Sequence, residues 1–453
     1  MAGRLLLRSE PGWYRAAVAG LLVLITAVGL WNAYALDFRR GYDGVAHVAY
    51  ARDLAFHGHI PGKETRGEYY SPPLFYAIAG GLTRLAPHLG VSPWEKLAQG
   101  FNAAVLVLSA LLVLVLARLL WPGRRALHVA ALGFFCFVPV TSRTAAMFHP
   151  EPLDLLLSLA GLTLAARILR NRSFGWKPAV LLGVTLGAAQ LARTFGLYAY
   201  ASVAIVFCLA AVARYAPRRQ LLVSLAVTTV ATLAVAGPWY ARQAILYTNP
   251  VFDQPTPDKP VWERQPLSFY VDPGLPDVLT TPMRPSYRNR LWPQTYSELW
   301  GDYYGIFMWN SAVTPTPPRS TLWELRAQAV VGLLPTALSL LGIAFLLRRG
   351  LRRSALARDP APLLVAVLPL LGFLGYLYFT VSYPVADGDT LKATYMLTTA
   401  PAWALAFGLA GDGVLRRLRG RPLARFYLVA VLVALALVDL RAIVYRNPLG
   451  GLF

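Results

Sequence analysis

Long runs of apolar residues without a formal charge constrain this chain more than any other feature of its sequence. Leu221–Ala241 and Ala327–Leu347 contain no Asp, Glu, Lys or Arg. A helix of roughly 20 apolar residues crosses a bilayer, whereas core helices of soluble domains are usually shorter. Charged residues make up only 14% of the chain, too few to cover a soluble surface. We therefore expect an all-α polytopic membrane protein.

The same pattern recurs and predicts about eleven membrane spans within a single membrane-embedded domain, residues 1–453. Leu74–Leu89 is also apolar, but it contains Arg84 and Pro87, so we expect a helix at the membrane surface there. The predicted spans are Ala16–Ala35, Leu97–Ala117, Ala126–Thr141, Pro152–Ala166, Pro178–Ala192, Leu197–Ala213, Leu221–Ala241, Ala327–Leu347, Pro362–Ala386, Thr394–Gly411 and Phe426–Val438.

The distribution of charge predicts the orientation. With the N-terminus in the cytoplasm, more than half of the 43 Lys and Arg residues fall in short inner loops, accompanied only by Glu10, Asp359 and Asp412. Short basic loops are typical of the cytoplasmic side. The net charge of +21 therefore indicates topology, and no nucleic-acid-binding signature accompanies it. Two larger loops with short surface helices, 36–96 and 242–326, then lie outside the cell membrane, where we expect any active site.

The segment that follows the first span contains the main candidate for catalysis. Asp43 and His47 are four residues apart, so a helix that begins here places both on one face. A carboxylate within hydrogen-bond reach of an acceptor hydroxyl acts as a general base. Asp43 is also suited to cap that helix, and the two roles can coexist.

Three further polar residues lie at the outer boundary. Tyr70 precedes a Ser-Pro-Pro sequence, which is typical of a turn that starts a helix, and its side chain is a candidate ligand contact. Glu151 and Asp154 are three residues apart at the start of the fourth span. Boundary acids are often solvated, but acids that face the interior of the bundle are functional candidates.

Two basic residues stand apart from the inner loops. Arg193 interrupts an apolar run, and Lys392 precedes the tenth span. Their side chains either reach lipid headgroups or hold a phosphate, for which guanidinium geometry is well suited. Asp387 and Asp389 form a candidate metal pair near Lys392, although one Asp-x-Asp in a turn is a weak metal signal.

The large outer loop contains a cluster of aromatic residues with Glu298 and Asp302 among them. An aromatic belt at the membrane interface explains such a cluster. A sugar-binding surface, which combines aromatic faces with polar groups, explains it as well. Asp302 and Tyr303 are the candidates for sugar contacts. The aromatic residues are Trp292, Tyr296, Trp300, Tyr303, Tyr304, Phe307 and Trp309.

In their order along the chain, these motifs resemble the membrane glycosyltransferases of the C-type fold. The resemblance is strongest to the branch of protein O-mannosyltransferases and lipid A aminoarabinose transferases, and it covers most of the chain. The matching elements are Asp43, Pro72-Pro73-Leu74, Glu151, Arg193-Thr194, Trp239-Tyr240 followed by Asn249-Pro250, and Lys392 with Tyr395.

The resemblance implies a transferase that moves a sugar from a polyprenyl-phosphate donor to an acceptor hydroxyl on the outer side, with inversion. Asp43 then takes the acceptor proton, and Arg193 and Lys392 hold the phosphate. The other implied substrate contacts are His47, Tyr70, Glu151, Asp154, Asp302, Tyr303 and Tyr395. The expected partners are the lipid-linked donor, membrane lipid and an acceptor that is a protein, a lipid or a glycan.

The sequence departs from the family pattern at three points. Gly44 follows Asp43 where many members have Glu, and Ser71 stands where many have His. The oligosaccharyltransferase branch uses a metal with an Asp-x-Asp in the first loop, which is absent here. We therefore expect a reaction that needs no metal or other cofactor.

Two other functions fit a polytopic protein. A transporter or lipid flippase typically has repeated halves and charged spans near the midplane, whereas the charges here concentrate at one face and no repeat is evident. An assembly subunit without catalysis is the third interpretation, and it predicts that Asp43 is dispensable.

Overall fold

The computed structural model describes residues 10–65, 67–247, 249–251, 257–283, 289–301, 319–384 and 390–446. Within these ranges the chain folds into α-helices connected by turns, without a β-strand. The helices are α1 Gly12–Ala35, α2 Gly44–Arg52, α3 Leu74–Leu85, α4 Lys96–Leu120, α5 Arg125–Phe137, α6 Pro139–Ala146, α7 Glu151–Asn171, α8 Trp176–Ala192, α9 Leu197–Val212, α10 Arg218–Leu246, α11 Leu267–Val271, α12 Asp277–Thr280, α13 Leu291–Trp300, α14 Arg319–Val331, α15 Leu333–Gly350, α16 Arg353–Leu356, α17 Leu363–Ser382, α18 Ala400–Arg417 and α19 Pro422–Ile443.

Eight helical segments of the described chain are long and apolar enough to cross a membrane: α1, α4, α7, α9, α10, α14 with α15, α17 and α19. The helices α5 and α6 are apolar enough only when taken together, and the bend of 49° between them fits either a broken ninth span or a re-entrant loop. The two other predicted spans coincide with α8, which has 17 residues, and with α18, which ends in a charged segment. The prediction of an all-α polytopic membrane protein is confirmed.

Some predicted boundaries differ from the structure. The helix α3 has 12 residues and is about 18 Å long, too short to cross a bilayer, as expected for Leu74–Leu89. The tenth span begins at Ala400 rather than Thr394, because a 3₁₀ turn occupies Ala393–Thr399. The large loop is shorter than predicted at both ends, since α10 continues to Leu246 and α14 begins at Arg319.

Small residues let α8 and α10 approach each other closely. A Cβ at Gly183 would lie 2.4 Å from the backbone oxygen of Thr228, so no larger residue fits there without a shift. The hydroxyls of Thr228 and Thr232 donate hydrogen bonds across the contact, to the carbonyl oxygens of Ala179 at 3.2 Å and of Gly183 at 3.1 Å. Small residues and hydroxyl groups are typical of helix contacts within membranes.

Polar side chains on α4 hold the loop between α6 and α7. The Gln99 amide donates to the carbonyl oxygen of Ala146 at 2.6 Å. The Asn102 amide donates to the carbonyl oxygens of Met147 at 3.0 Å and His149 at 2.9 Å. Both side chains are fully buried. Because these bonds satisfy loop carbonyls that would otherwise be desolvated, they fix the position of His149 next to the loop 36–96.

Aromatic stacking joins the two short helices of the loop 36–96. The rings of Tyr50 on α2 and Tyr76 on α3 are parallel, with centroids 3.9 Å apart. The Tyr50 hydroxyl donates to the carbonyl oxygen of Ser71 at 3.2 Å. This contact brings the beginning of α2, which follows Asp43, against the segment that carries Glu68 and Ser71.

Candidate functional site

Asp43 lies at the water-exposed side of the site. It immediately precedes α2 in a left-handed conformation, with φ of 53°, and its side chain makes no capping hydrogen bond. The capping role is therefore not observed. Instead, Oδ2 of Asp43 lies 3.3 Å from Nζ of Lys392. The carboxylate is 38% exposed, whereas the Lys392 side chain is only 4% exposed.

Asp43 and Glu68 line a common open cavity of about 550 Å³, together with Arg39, Tyr50 and Asp53. A cavity of this volume is in the usual range for small-molecule sites. The Asp43 carboxylate is therefore accessible from the cavity while a buried ammonium group holds it in position.

Glu68 was not identified from the sequence, yet it is central to the site. It is buried, and its carboxylate accepts hydrogen bonds from the hydroxyls of Ser71 at 2.5 Å and Tyr70 at 2.9 Å. Burial raises the pKa of Glu68, but the charge of His47, which is protonated only in acid, the charge of Arg193 and these two hydrogen bonds outweigh burial and lower the pKa to about 2. Glu68 is thus a carboxylate at neutral pH. The sequence feature that could have identified Glu68 is its position directly before Tyr69-Tyr70.

Arg193 is buried between two carboxylates. Its Nη1 lies 3.2 Å from Oε2 of Glu68 and donates to the Ser71 hydroxyl at 2.6 Å. Its Nε lies 3.0 Å from Oε1 of Glu151. Ser71, which replaces the His of the family pattern, therefore bridges Arg193 and Glu68. A direct contact of Arg193 with phosphate stays a prediction, and it requires one of these carboxylates to move.

His47 is fully buried behind Glu68. Its Nδ1 is 2.7 Å from the Tyr76 hydroxyl and 4.0 Å from Oε2 of Glu68. The ring of His149 packs edge-on against it, with centroids 4.5 Å apart. Desolvation by burial is the main reason that the pKa of His47 falls to about 4. His47 is therefore a neutral imidazole at physiological pH.

His149 is a second residue that sequence reasoning did not select. Its Nδ1 contacts a carboxylate oxygen of Glu151, and both side chains are buried. The predicted site residues His47 and Glu151 thus belong to one buried polar cluster with Glu68, His149 and Arg193. Buried polar clusters of this kind hold their members in one arrangement when each is paired.

Lys392 and Tyr395 are far from Asp43 in the sequence but meet it in space. Nζ of Lys392 is 4.9 Å from the centroid of the Tyr42 ring and 5.8 Å from that of Tyr395. The Tyr395 ring in turn packs against Phe195, with centroids 5.2 Å apart. The aromatic rings surround the ammonium group and place it toward Asp43.

The remaining predicted site residues do not all join this cluster. Tyr70 contacts Glu68 and joins the cluster. Asp154 is fully buried within the bundle, where it accepts hydrogen bonds from Ser158 at 3.0 Å and Thr398 at 2.8 Å, and it does not line the cavity next to Asp43. The predictions for Asp302, Tyr303, Asp387 and Asp389 fall outside the described residues.

Three potential metal ligands, Asp43, His47 and Glu68, have ligand atoms within 4.8 Å of one another. Their surroundings do not fit a divalent cation, because Lys392 already pairs with Asp43 and Arg193 with Glu68. A metal ion at this position would lie close to two cationic side chains. Electrostatic repulsion from these two side chains therefore disfavours metal binding at this position.

Comparison with known proteins gives structural matches only. No family model matches the sequence, and no curated protein matches it. The oligosaccharyltransferase AglB from Archaeoglobus fulgidus, in complex with an inhibitory peptide and a dolichol-phosphate, superposes with a TM-score of 0.58 at 13% identity. The match covers 96% of this chain and 56% of that one. The Archaeoglobus fulgidus oligosaccharyltransferase tethered to an acceptor peptide with the NVT sequon gives a TM-score of 0.55 at 14% identity, covering 97% of this chain and 56% of that one.

ArnT from Cupriavidus metallidurans bound to undecaprenyl phosphate gives a TM-score of 0.49 at 16% identity over 96% of this chain and 74% of that one. The superposition on the oligosaccharyltransferase shows that the chain has the C-type fold of membrane glycosyltransferases, as the sequence motifs predicted. The chain spans about half the length of the oligosaccharyltransferase chains that it matches.

Proposed function

We propose that this protein is a glycosyltransferase that moves a sugar from a polyprenyl-phosphate donor to an acceptor hydroxyl on the extracytoplasmic side of the cell membrane. The observation that carries the proposal is the contact between Asp43, at the edge of an open cavity, and the buried ammonium group of Lys392. The dolichol-phosphate in the AglB complex supports a lipid phosphate as the kind of ligand for this fold.

Asp43 is the proposed general base. The acceptor oxygen attacks the anomeric carbon from the side opposite the phosphate, and the Asp43 carboxylate takes the hydroxyl proton. The bond between the anomeric carbon and the phosphate oxygen breaks, and its electron pair leaves with the polyprenyl phosphate. Attack from the opposite side inverts the configuration. General-base assistance of this kind contributes about 10²- to 10⁴-fold to a rate.

Lys392 is the proposed phosphate contact. Its ammonium group neutralises the Asp43 carboxylate at 3.3 Å. When Asp43 accepts the proton it becomes neutral, and the ammonium group of Lys392 is then available for the phosphate that gains charge as it leaves. A cation positioned where negative charge develops stabilises the transition state. The pair therefore couples proton removal to departure of the leaving group.

The buried cluster behind Asp43 has a supporting role in this proposal. Arg193 pairs with Glu68 and Glu151, and these contacts hold the floor of the cavity in one arrangement. Glu68 lines the cavity, so its carboxylate is the proposed contact for sugar hydroxyls. Arg193 contacts the donor phosphate only if Glu68 moves toward the sugar. That movement leaves the guanidinium group of Arg193 free to bind the phosphate.

Genetic replacement tests the proposal for any transferred sugar. Cells that lack the protein are complemented with the wild type, Asp43→Asn or Asp37→Asn. Asp37 is a matched control, because it is an exposed acid of the same loop whose Oδ1 accepts a hydrogen bond from the Arg39 backbone at 2.8 Å. Mass spectrometry then measures the glycosylated products and the polyprenyl-phosphate sugars of each strain.

The expected result is loss of one product and accumulation of its lipid-linked donor with Asp43→Asn, and normal levels with Asp37→Asn. Normal product in cells whose Asp43→Asn protein is membrane-inserted would rule out Asp43 as the base. Because Lys392 and Arg193 neutralise the potential metal ligands, we also expect a chelator such as EDTA to leave transfer unchanged.

A further inference from the structure

A second cavity lies at the end of the bundle opposite the candidate site. Its volume is about 940 Å³, and it is bordered by α4, α15, α17 and α18. At one end of α4, Asn102 holds the loop that carries His149, whereas Leu120 at the other end lines this cavity. Asn102 and Leu120 are 18 residues apart, about 27 Å along the helix axis, so the two cavities lie near opposite membrane surfaces.

Positive charge dominates the lining of this cavity. It contains one acid, Asp359, against the arginines Arg124, Arg170, Arg349, Arg352, Arg358, Arg416 and Arg417. Three of these arginines have acidic partners: Arg170 pairs with Asp359, and Arg124 and Arg416 pair with Asp412.

The other four arginines differ in this respect. Among the residues that the structure describes, no carboxylate oxygen lies within 4.0 Å of Arg349, Arg352, Arg358 or Arg417. The lining of the cavity therefore carries positive charge that no carboxylate in the described part of the chain compensates, and it is complementary to an anionic group.

One wall of the cavity is apolar and exposed. Leu341 and Phe345 on α15 line it and are 63% and 48% exposed. Because α15 belongs to a membrane span, these side chains face lipid acyl chains rather than water. A soluble anion would leave this wall uncovered, whereas an amphipathic anion would contact both the arginines and the apolar side chains.

We propose that this cavity binds an anionic glycerophospholipid. Its phosphate is held by Arg349, Arg352 and Arg417, and its acyl chains lie along Leu341 and Phe345. Arginine is suited to this contact because its guanidinium group binds phosphate oxygens in pairs. Basic pockets between membrane helices recognise lipid headgroups in this way. This site is separate from the proposed transfer reaction and does not depend on it.

Native mass spectrometry of the full chain in detergent tests the proposal, with phosphatidylglycerol and phosphatidylcholine of identical acyl chains as probes. The test variant is Arg349→Gln/Arg352→Gln/Arg417→Gln. The matched control is Arg353→Gln/Arg419→Gln/Arg425→Gln, which removes three arginines that do not line the cavity. Each Lys or Arg near an anionic lipid surface contributes roughly fivefold to affinity, so three contribute about 100-fold.

We expect the wild type and the control to bind phosphatidylglycerol much more tightly than phosphatidylcholine, and the test variant to lose about 100-fold of that affinity. Equal binding by the wild type and a folded test variant would overturn the proposal. The elution volume of the test variant on size exclusion shows whether that variant is folded.

Two further measurements on the wild type keep the proposal testable even if the variant fails to fold. Phosphatidylglycerol binding should weaken as salt concentration rises, because the contact is electrostatic. Inorganic phosphate that displaces the lipid at equal concentration would identify a site for a soluble anion and overturn the lipid assignment. The lipid assignment would also be overturned if the purified chain showed no preference between the two lipids and a cytoplasmic protein fraction displaced the bound lipid.

Discussion

Nη1 of Arg193 lies 3.2 Å from Oε2 of Glu68, although 125 residues separate the two in the sequence. The contact connects the end of α8 to the loop 36–96, and Nε of Arg193 extends it to Glu151 at the start of α7. One buried guanidinium group therefore neutralises acids from two separate segments. Removing either charge alone leaves a buried charge without its partner, which is far more costly than removing the pair.

We predict that Arg193→Met destabilises the protein by about 3–5 kcal/mol, because Glu68 and Glu151 then remain buried without a compensating cation. The double variant Arg193→Met/Glu68→Gln should recover part of this loss, since one uncompensated charge is removed. Thermal unfolding of the purified variants in detergent, arranged as a double-mutant cycle, measures the coupling. Additive effects of the two substitutions would contradict the pairing.

We predict that Lys392→Gln lowers the rate of transfer by about 10²- to 10³-fold, the usual effect of removing one group that stabilises developing charge. Free polyprenyl phosphate should also become a weaker inhibitor, because its phosphate loses a cationic contact. Lys63→Gln, which removes an exposed lysine of the first outer loop, is the control and should match the wild type. Unchanged inhibition by polyprenyl phosphate in Lys392→Gln would remove Lys392 from the donor site.

We predict that acid weakens the fold through His47. The pKa of this buried imidazole lies near 4, below its ordinary value of 6.5, because burial disfavours the charged form. The unfolded chain binds a proton at His47 as pH falls below 6.5, whereas the folded chain does not until about pH 4. The stability that His47 contributes is therefore complete above pH 6.5 and decreases between pH 6.5 and 4.

The melting temperature measured across this range checks the prediction. In the wild type it should fall as the pH is lowered from 7 to 4, and in His47→Gln the fall should be smaller, because Gln does not titrate. Above pH 4.5 Glu68 does not contribute to the difference, because its carboxyl is ionised both in the unfolded chain, where its ordinary pKa is 4.5, and in the folded chain, where the pKa is about 2. Identical pH profiles for the two proteins would show that His47 is not held neutral by burial.

We predict that Gly183→Ala destabilises the contact between α8 and α10, because the added Cβ would lie 2.4 Å from the backbone oxygen of Thr228. Gly20→Ala in α1 is the matched control: a Cβ there meets no atom within 4 Å, and alanine is the better helix former by roughly 1 kcal/mol. Thermal unfolding should therefore show a lower melting temperature for Gly183→Ala and an equal or higher one for Gly20→Ala.

The sequence was sufficient to predict the all-α membrane architecture, because a bilayer imposes a fixed length and polarity on every segment that crosses it. The apolar runs therefore identified the spans, although their ends differ from the structure where a 3₁₀ turn precedes α18 and where α10 extends beyond its apolar run. The order of short polar motifs, through its resemblance to a known family, also predicted the fold and selected Asp43, Lys392, Arg193, His47 and Glu151 as site candidates.

Only the tertiary structure decided how these candidates pair. Glu68 and His149 carry no distinctive signal in the sequence, yet they surround Arg193 and His47. Asp154, like Glu151, was selected as an acid at the start of the fourth span, but its carboxylate accepts a hydrogen bond from Thr398 within the bundle. The physical reason is that transfer into a membrane depends on the composition of each local segment, whereas charge pairing depends on distances of a few ångströms between segments far apart along the chain.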